Sequence, residues 1–385
     1  MITHEKCRSC GGAFRDLLDL GEHPLPDFSQ KEPNWTYAPL QLVQCEECNL
    51  VQMRHTVERE HLFTNYWYRS GLSETMRAAL KDIAVAAARY RVGEHISLDI
   101  GSNDGTLLSM LPGECIGFEP SSIGEGTGAI PKFFSAREYF ALHEKKATVV
   151  TTIAMFYSVG DPESFVHDVA MVMDKKGVWV NQMNDLTALV ENTAYDIIGH
   201  EHTCVWSLTA LKPLLEKYGL EVFRVERNDL NGGSMRLFIQ HQGFRAVEPT
   251  VAAQYQRESW LDIKGFIVAV SRSTLALHHL LRRLKADGLR TYIYGASTRG
   301  VTVVHAAQLD EVLVHGAVER DKAKVGHLFP GTRIPIVSES HARTADADYF
   351  LALPYSYLQQ FIKRESQWLK GGGRFIVPVP EPRIL

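Results

Sequence analysis

Four of the six cysteines stand in the first fifty residues as two C-x-x-C pairs, Cys7 with Cys10 and Cys45 with Cys48. Each pair can place two thiolates on one metal ion through a tight turn, so both ends of this segment are drawn to one point. Four thiolates complete a closed tetrahedron. Such a site has no open ligand position, holds a fold together and cannot activate water, so the expectation is a structural zinc ion. Four unrelated reduced cysteines and an iron–sulfur cluster are the alternatives. The remainder of residues 1–72 reads as a small loop-rich unit, because Pro24, Pro26, Pro33 and Pro39 break any long regular element. Cys115 and Cys204 stand alone in segments that read as buried.

From residue 73 the pattern becomes regular. A helical stretch over 73–90 precedes a strand over 95–100 that ends in a glycine-containing turn. Further strands are expected at 115–118, 148–152 and 177–183, with helices between them, one at 165–173. This alternation implies a parallel α/β sheet. A helix over 207–218 leads to strands at 220–226 and 235–241, joined by the turn 227–233 as a closing hairpin. Trp260, Ile263, Ile267, Val270, Leu277, Leu281 and Leu284 recur at heptad-like spacing up to Gly288. They predict one long amphipathic helix whose stripe packs on both neighbouring domains, in preference to a dimer seam. The last hundred residues alternate again, with strands at 291–294, 314–318, 349–353 and 374–378 and helices at 301–309 and 355–369, which implies a second Rossmann-like domain. Since 385 residues exceed what one hydrophobic core supports, the reading is three domains: 1–72, 73–250 and 251–385.

Composition removes several function classes. A formal net charge of −4 without a long run of Lys or Arg lacks the electrostatic footprint of a nucleic-acid binder. The start MITHEKCRSC carries no apolar stretch after a basic beginning, and nowhere do eighteen apolar residues run together, so a cytoplasmic protein without a membrane partner is expected.

The turn after residue 100 carries the chemistry. Asp99, Gly101, Asn103, Asp104 and Gly105 leave a strand and enter a helix through two glycines, a geometry that lets backbone approach a ligand closely. About twenty residues on, the next strand ends in Glu119 and Pro120, where a carboxylate can accept both hydroxyls of a ribose. The dinucleotide fingerprint G-x-G-x-x-G is absent. The spacing D-x-G-x-x-x-G instead resembles the first motif of class I methyltransferases, which implies S-adenosylmethionine held by Asp99, Gly101, Asn103, Asp104, Gly105, Glu119 and Pro120.

Read in order, further motifs accumulate. They are 65–70 (NYWYRS), 199–202 (GHEH), 232–236 (GGSMR), 295–300 (GASTRG) and 330–336 (PGTRIPI). With the doubled C-x-x-C and the glycine turn, this series resembles the nucleotide-sugar C-methyltransferase family over nearly the whole chain. The resemblance implies methylation of C3 of a nucleoside-diphosphate 4-keto-deoxyhexose, where the neighbouring ketone acidifies the proton. By the same resemblance His202 is the base, since a neutral imidazole titrates near physiological pH. Glu201 orients it or meets the substrate, and Tyr68 or His200 supplies the hydroxyl or cation that stabilises the enolate. Tyr66, Arg69, Ser70, Arg236 and Arg299 are the implied substrate contacts. On spacing alone His200 and His202 read as a surface or metal-binding pair, Tyr66 and Tyr68 equally as packing against the zinc unit, and Arg299 as an exposed residue of a tight turn. The GASTRG turn lacks the NAD fingerprint.

Two departures from the family pattern stand out. Gly199 occupies a position where a tyrosine is usual, and 181–184 reads NQMN where an acid and a proline are usual. They keep open O- or N-methylation of a sugar or other small metabolite, and a non-catalytic binding protein of the same fold. A monomer or small homo-oligomer fits either reading.

Overall fold

The computed structural model describes residues 1–63, 68–91, 93, 95–344 and 347–385. Its contacts cluster in two units. The first comprises Met1–Asp16, Val43–Thr187 and Glu201–Leu261, the second Leu17–Leu42, Ala188–His200 and Asp262–Leu385.

In the first unit, Ile96, Leu98 and Ile100 are all at most 3% exposed, as expected of a strand covered on both faces. This strand, Ile96–Ile100, lies inside a six-stranded sheet. Across the sheet the order is Leu220–Asn228, Ser234–His241, Met173–Met183, Ala147–Ile153, Ile96–Ile100 and Glu114–Phe118. The last four are mutually parallel, and Ser234–His241 runs antiparallel to both neighbours. One face is covered by Glu74–Ala88, whose start is capped by Ser73 and whose Met76, Leu80 and Ile83 pack with Val178, Val180, Phe223 and Phe238. On the other face Pro162–Val172 and Leu208–Lys217 close over Trp179, with Phe156 stacked on Trp206. The expected hairpin is present, paired from Leu220 opposite His241 to Asn228 opposite Ser234, with a one-residue register shift between Val222 and Arg224.

The unusual Asn184 has a part in that hairpin. Its Nδ2 donates to the carbonyls of Asn231 and Gly233, tying the turn to the neighbouring strand end, which a proline could not do.

The second unit is also an α/β sheet. Its order is Ile336–Ser338, Ala317–Glu319, Thr291–Tyr294, Tyr349–Ala352, Arg374–Val377 and Arg383–Ile384, with the first five parallel and the last antiparallel. The long helix starts later than its apolar period suggests. Trp260 is 79% exposed and lies outside it, between Pro249–Glu258 and Ile263–Ala286. Asp262 caps the later helix by accepting from the N–H of Gly265 at 2.8 Å. Glu258 accepts from the N–H groups of Leu208 and Thr209, so the earlier helix belongs to the first unit. A second correction concerns Cys115. Its side chain is exposed, because Glu114–Phe118 is an edge strand and Cys115 lies near its start.

Candidate active site

The four cysteines converge as their spacing requires. Gly11, with φ of 73°, lets the chain turn so that its N–H meets the Cys7 carbonyl at 2.9 Å. Asn49, with φ of 62°, does the same after Cys48, where Cys45 N–H meets the Leu50 carbonyl at 2.9 Å. The sulfurs of Cys7 and Cys48 are 3.6 Å apart and those of Cys10 and Cys45 3.4 Å, with all four within 4.8 Å of one another. A tetrahedron whose corners lie about 2.3 Å from a zinc ion has edges of about 3.8 Å, so the set fits that metal. The N–H groups of Ser9 and Cys48 also point at the Cys7 and Cys45 sulfurs, each at 3.5 Å. Hydrogen bonding from Cys48 draws the Cys7 thiol down to about 5, while burial lifts Cys10 to about 11. Charge gathered on so few sulfurs is what a divalent cation discharges.

Just after these ligands, Val51–Met53 pairs antiparallel with Cys204–Val205, Gln52 opposite Cys204 and Val51 opposite Val205. Met53 N–H donates to the Thr203 carbonyl at 2.9 Å. Thr203 in turn donates through Oγ1 to the carbonyls of Tyr157 and Val159, at 3.1 and 2.9 Å. His202 is therefore adjacent to a residue held by the zinc-bearing segment. Its half-buried ring lies against Tyr157, centroids 4.1 Å apart. Glu201 beside it is buried.

The glycine turn is built by the strand ends. Gly101 and Ser102 donate from their N–H groups to the Phe118 carbonyl at 2.8 and 3.0 Å. Gly101 and Gly105 both have φ of 74°, and a Cβ would press on Met155 at the first and on Thr127 at the second. Glu119 accepts from Asn103 N–H and from the N–H and hydroxyl of Ser121, at 2.9, 2.9 and 2.6 Å, and Pro120 follows it. Asp99 is buried and accepts from Thr151 Oγ1 at 2.6 Å. Burial, with the Glu119 charge adding to it, outweighs that bond and pushes the Asp99 carboxyl up to about 7. The Ser102 hydroxyl is buried without a hydrogen-bond partner. Two acids, an orphaned hydroxyl and a turn with a glycine at each end fit a ligand bearing positive charge and ribose hydroxyls.

The side chains of Asn103 and Asp104 reach back along the chain. Asn103 donates to the Tyr68 carbonyl at 2.9 Å and accepts from Ser70 N–H at 3.0 Å, while Asp104 accepts from Gly71 N–H at 2.7 Å. Tyr68, Arg69 and Ser70 are thus tethered to the turn, with Tyr68 and Arg69 exposed. Tyr66 lies outside the described residues.

Three expectations need revising. The sequence offers His200 as a cation for the enolate, but burial holds its imidazole down to about 4, and its Nε2 donates to the His23 carbonyl at 3.3 Å. It is neutral at physiological pH, with Nδ1 left as an acceptor. Arg236 is buried, its guanidinium directed at Gln182, Glu226 and Asp82 at 2.7, 3.1 and 2.8 Å. Gln182, another departure from the family pattern, is the acceptor for Arg236 Nε. Arg299 pairs with the buried Asp196 at 2.6 Å. Tyr157, Thr203, Asp196 and His23 were invisible to sequence reasoning, because each acts through a partner remote in the chain.

The comparisons agree with this anatomy. A family model for a zinc binding domain matches residues 7–63, one for a methyltransferase domain 68–225, and one for a C-methyltransferase C-terminal domain 229–380. The chain is 29% identical over 408 aligned positions to C-methyltransferase NovU of Streptomyces niveus, covering 99% of this chain and 97% of that protein. Two solved structures are each similar to less than half of the chain. Mitomycin 7-O-methyltransferase MmcR matches at 18% identity over 44% of this chain and 55% of its own, with a TM-score of 0.34. Magnesium protoporphyrin IX methyltransferase of Synechocystis PCC 6803, with bound S-adenosylmethionine, matches at 10% over 42% and 78%, with a TM-score of 0.32.

Two predictions follow from these contacts. Metal analysis should find one zinc ion per chain, lost in Cys48→Ser together with several degrees of melting temperature; full stability without metal would contradict the site. Secondly, His23 and His200 are both pushed by burial from 6.5 to about 4, so the unfolded chain takes up their protons first as pH falls. Stability should drop by about 1.4 kcal/mol per pH unit for each of them between those values. His200→Gln keeps a donor for the His23 carbonyl, and denaturant titrations should show its acid limb flattened by one proton.

Proposed function

We propose, from the premise that this chain is an S-adenosylmethionine-dependent methyltransferase with zinc-binding, methyltransferase and C-methyltransferase C-terminal domains, that it methylates C3 of a nucleotide-linked 4-keto-deoxysugar. The observation carrying the reading is that one compact unit holds both His202, fastened at Thr203, and Tyr68, tethered to the cofactor turn by Asn103.

In this reading His202 removes the proton from C3. The C–H electron pair moves into the ring, and negative charge collects on the ketone oxygen. The Tyr68 hydroxyl donates to that oxygen, the role that neutral His200 cannot fill as a cation. Glu201, buried beside the base, orients it. When bound, the cofactor supplies an electrophilic methyl group, which the C3 carbanion takes. Asp99, Gly101, Gly105, Glu119 and Pro120 line its seat, Asn103 holds Tyr68 and Ser70 to the turn, and Asp104 holds Gly71. The protein is proposed to act in the cytoplasm, as a monomer or small homo-oligomer and without nucleic acid. No helix among the described residues is long and apolar enough to cross a membrane.

One observation favours a second reading, methylation of oxygen or nitrogen. Gly199, where the family pattern has tyrosine, supplies no side-chain hydroxyl, and an added Cβ there would have room, meeting Thr302 Oγ1 at 3.9 Å. A heteroatom acceptor needs no enolate stabiliser.

Substrate incubated with enzyme in heavy water should exchange its C3 proton, and product NMR should place the new methyl on carbon. His202→Ala should lower exchange and methylation by about 10²-fold or more. Full activity in His202→Ala would remove the proposed base, and a methyl on oxygen or nitrogen would favour the second reading. Gly199→Ala should fold with little change in melting temperature; a large loss would mean that the space at 199 is required.

A further inference from the structure

The segment Ala188–His200, which runs into Glu201 and His202, is fastened from several elements of the second unit. Asp196, on the turn Tyr195–Ile197, is buried; its Oδ2 lies 2.6 Å from Arg299 Nη2 and its Oδ1 accepts from the Tyr355 hydroxyl at 3.0 Å. One helical turn beyond Arg299, Thr302 Oγ1 donates to the Ile198 carbonyl at 2.6 Å. From the strand Phe14–Pro24 the His23 carbonyl accepts from His200 at 3.3 Å. Four contacts thus hold three residues of a seven-residue stretch, 194–200, just before the H-E-H run.

Stability alone does not account for a buried ion pair here. Replacing such a pair by apolar groups of similar volume is often neutral or stabilising, whereas breaking it by removing one partner is destabilising. What an ion pair with an added hydroxyl donor provides is direction, fixing one carboxylate against two partners.

We infer that Asp196, Arg299 and Tyr355 are positioning residues for the methyl transfer, a clamp by which the carboxy-terminal domain sets the backbone ahead of His202. This rests on the reading of His202 as the base. The clamp also explains the GASTRG motif, since that turn starts the helix Thr298–Ala306, which presents Arg299 and Thr302 to the segment.

The test compares the full chain with Arg299→Met, Asp196→Asn, Tyr355→Phe and the double variant Asp196→Asn/Arg299→Met. Amide hydrogen exchange over 194–203, which needs no substrate, should quicken at least about tenfold in the single charge variants, with affinity for S-adenosylmethionine unchanged. With thymidine diphosphate 4-keto-6-deoxyglucose as probe, kcat and C3 proton exchange should fall by about 10- to 100-fold at little change in KM, the scale expected of a small misplacement. Tyr355→Phe should show a milder version. The double variant should recover melting temperature without recovering kcat. A merely structural pair would restore both. That result, or wild-type amide exchange over 194–203 in Arg299→Met, would overturn the clamp. If the base assignment is what fails, His202→Ala will keep proton exchange while Arg299 is intact, a different pattern.

Discussion

Four sulfurs brought within bonding distance of one point are the constraint on which the active region of this protein depends. They fix the turns on either side of Cys7–Cys10 and Cys45–Cys48, and so the direction in which the chain leaves at Val51–Met53. That short strand is the one paired with Cys204–Val205, and Met53 also holds Thr203. A two-residue strand has too few hydrogen bonds to keep its own register. The cysteine site lends it that register from the neighbouring chain, and the imidazole of His202 is next in line. Under the proposed mechanism, a metal without an open ligand position would thereby bear on the base through geometry alone.

The two units use one local device for different ends. In the first, Gly101 N–H meets the Phe118 carbonyl and Glu119 accepts from Asn103 N–H; in the second, Gly295 N–H meets the Val318 carbonyl and Glu319 accepts from Ala296 N–H at 3.1 Å. Both turns begin with a glycine at positive φ. The surroundings differ. A Cβ on Gly295 would lie 2.6 Å from Pro354, and Lys324 Nζ donates to the Ala296 carbonyl, so protein fills the second turn. The first retains an orphaned serine hydroxyl and a buried acid near neutrality.

Much of this was readable from residues alone where the signal is local. The doubled C-x-x-C, the glycine turn after an apolar strand and the acid ending the next strand are short-range patterns and stand where expected, but the turn leads into the short 3-10 turn Leu108–Met110 where a helix was expected. Long-range pairing was not readable. Asn103 and Asp104 look like ligand contacts because polar residues in such a turn often are, yet their side chains hold backbone more than thirty positions away in sequence. Arg236 sits on a strand whose alternation says which face it occupies but not that three acceptors await it. The apolar period runs through Trp260 into the next helix, and only the Asp262 cap shows where that helix begins.

The account turns on where His202 lies when cofactor and sugar are both present. A crystal structure of the zinc-loaded protein with S-adenosylhomocysteine and a nucleotide-linked ketosugar measures this directly. The account predicts an imidazole nitrogen within about 3.5 Å of the sugar carbon, on a line of sight to the cofactor sulfur. A sugar bound against the cofactor with His202 walled off behind Tyr157 would contradict it.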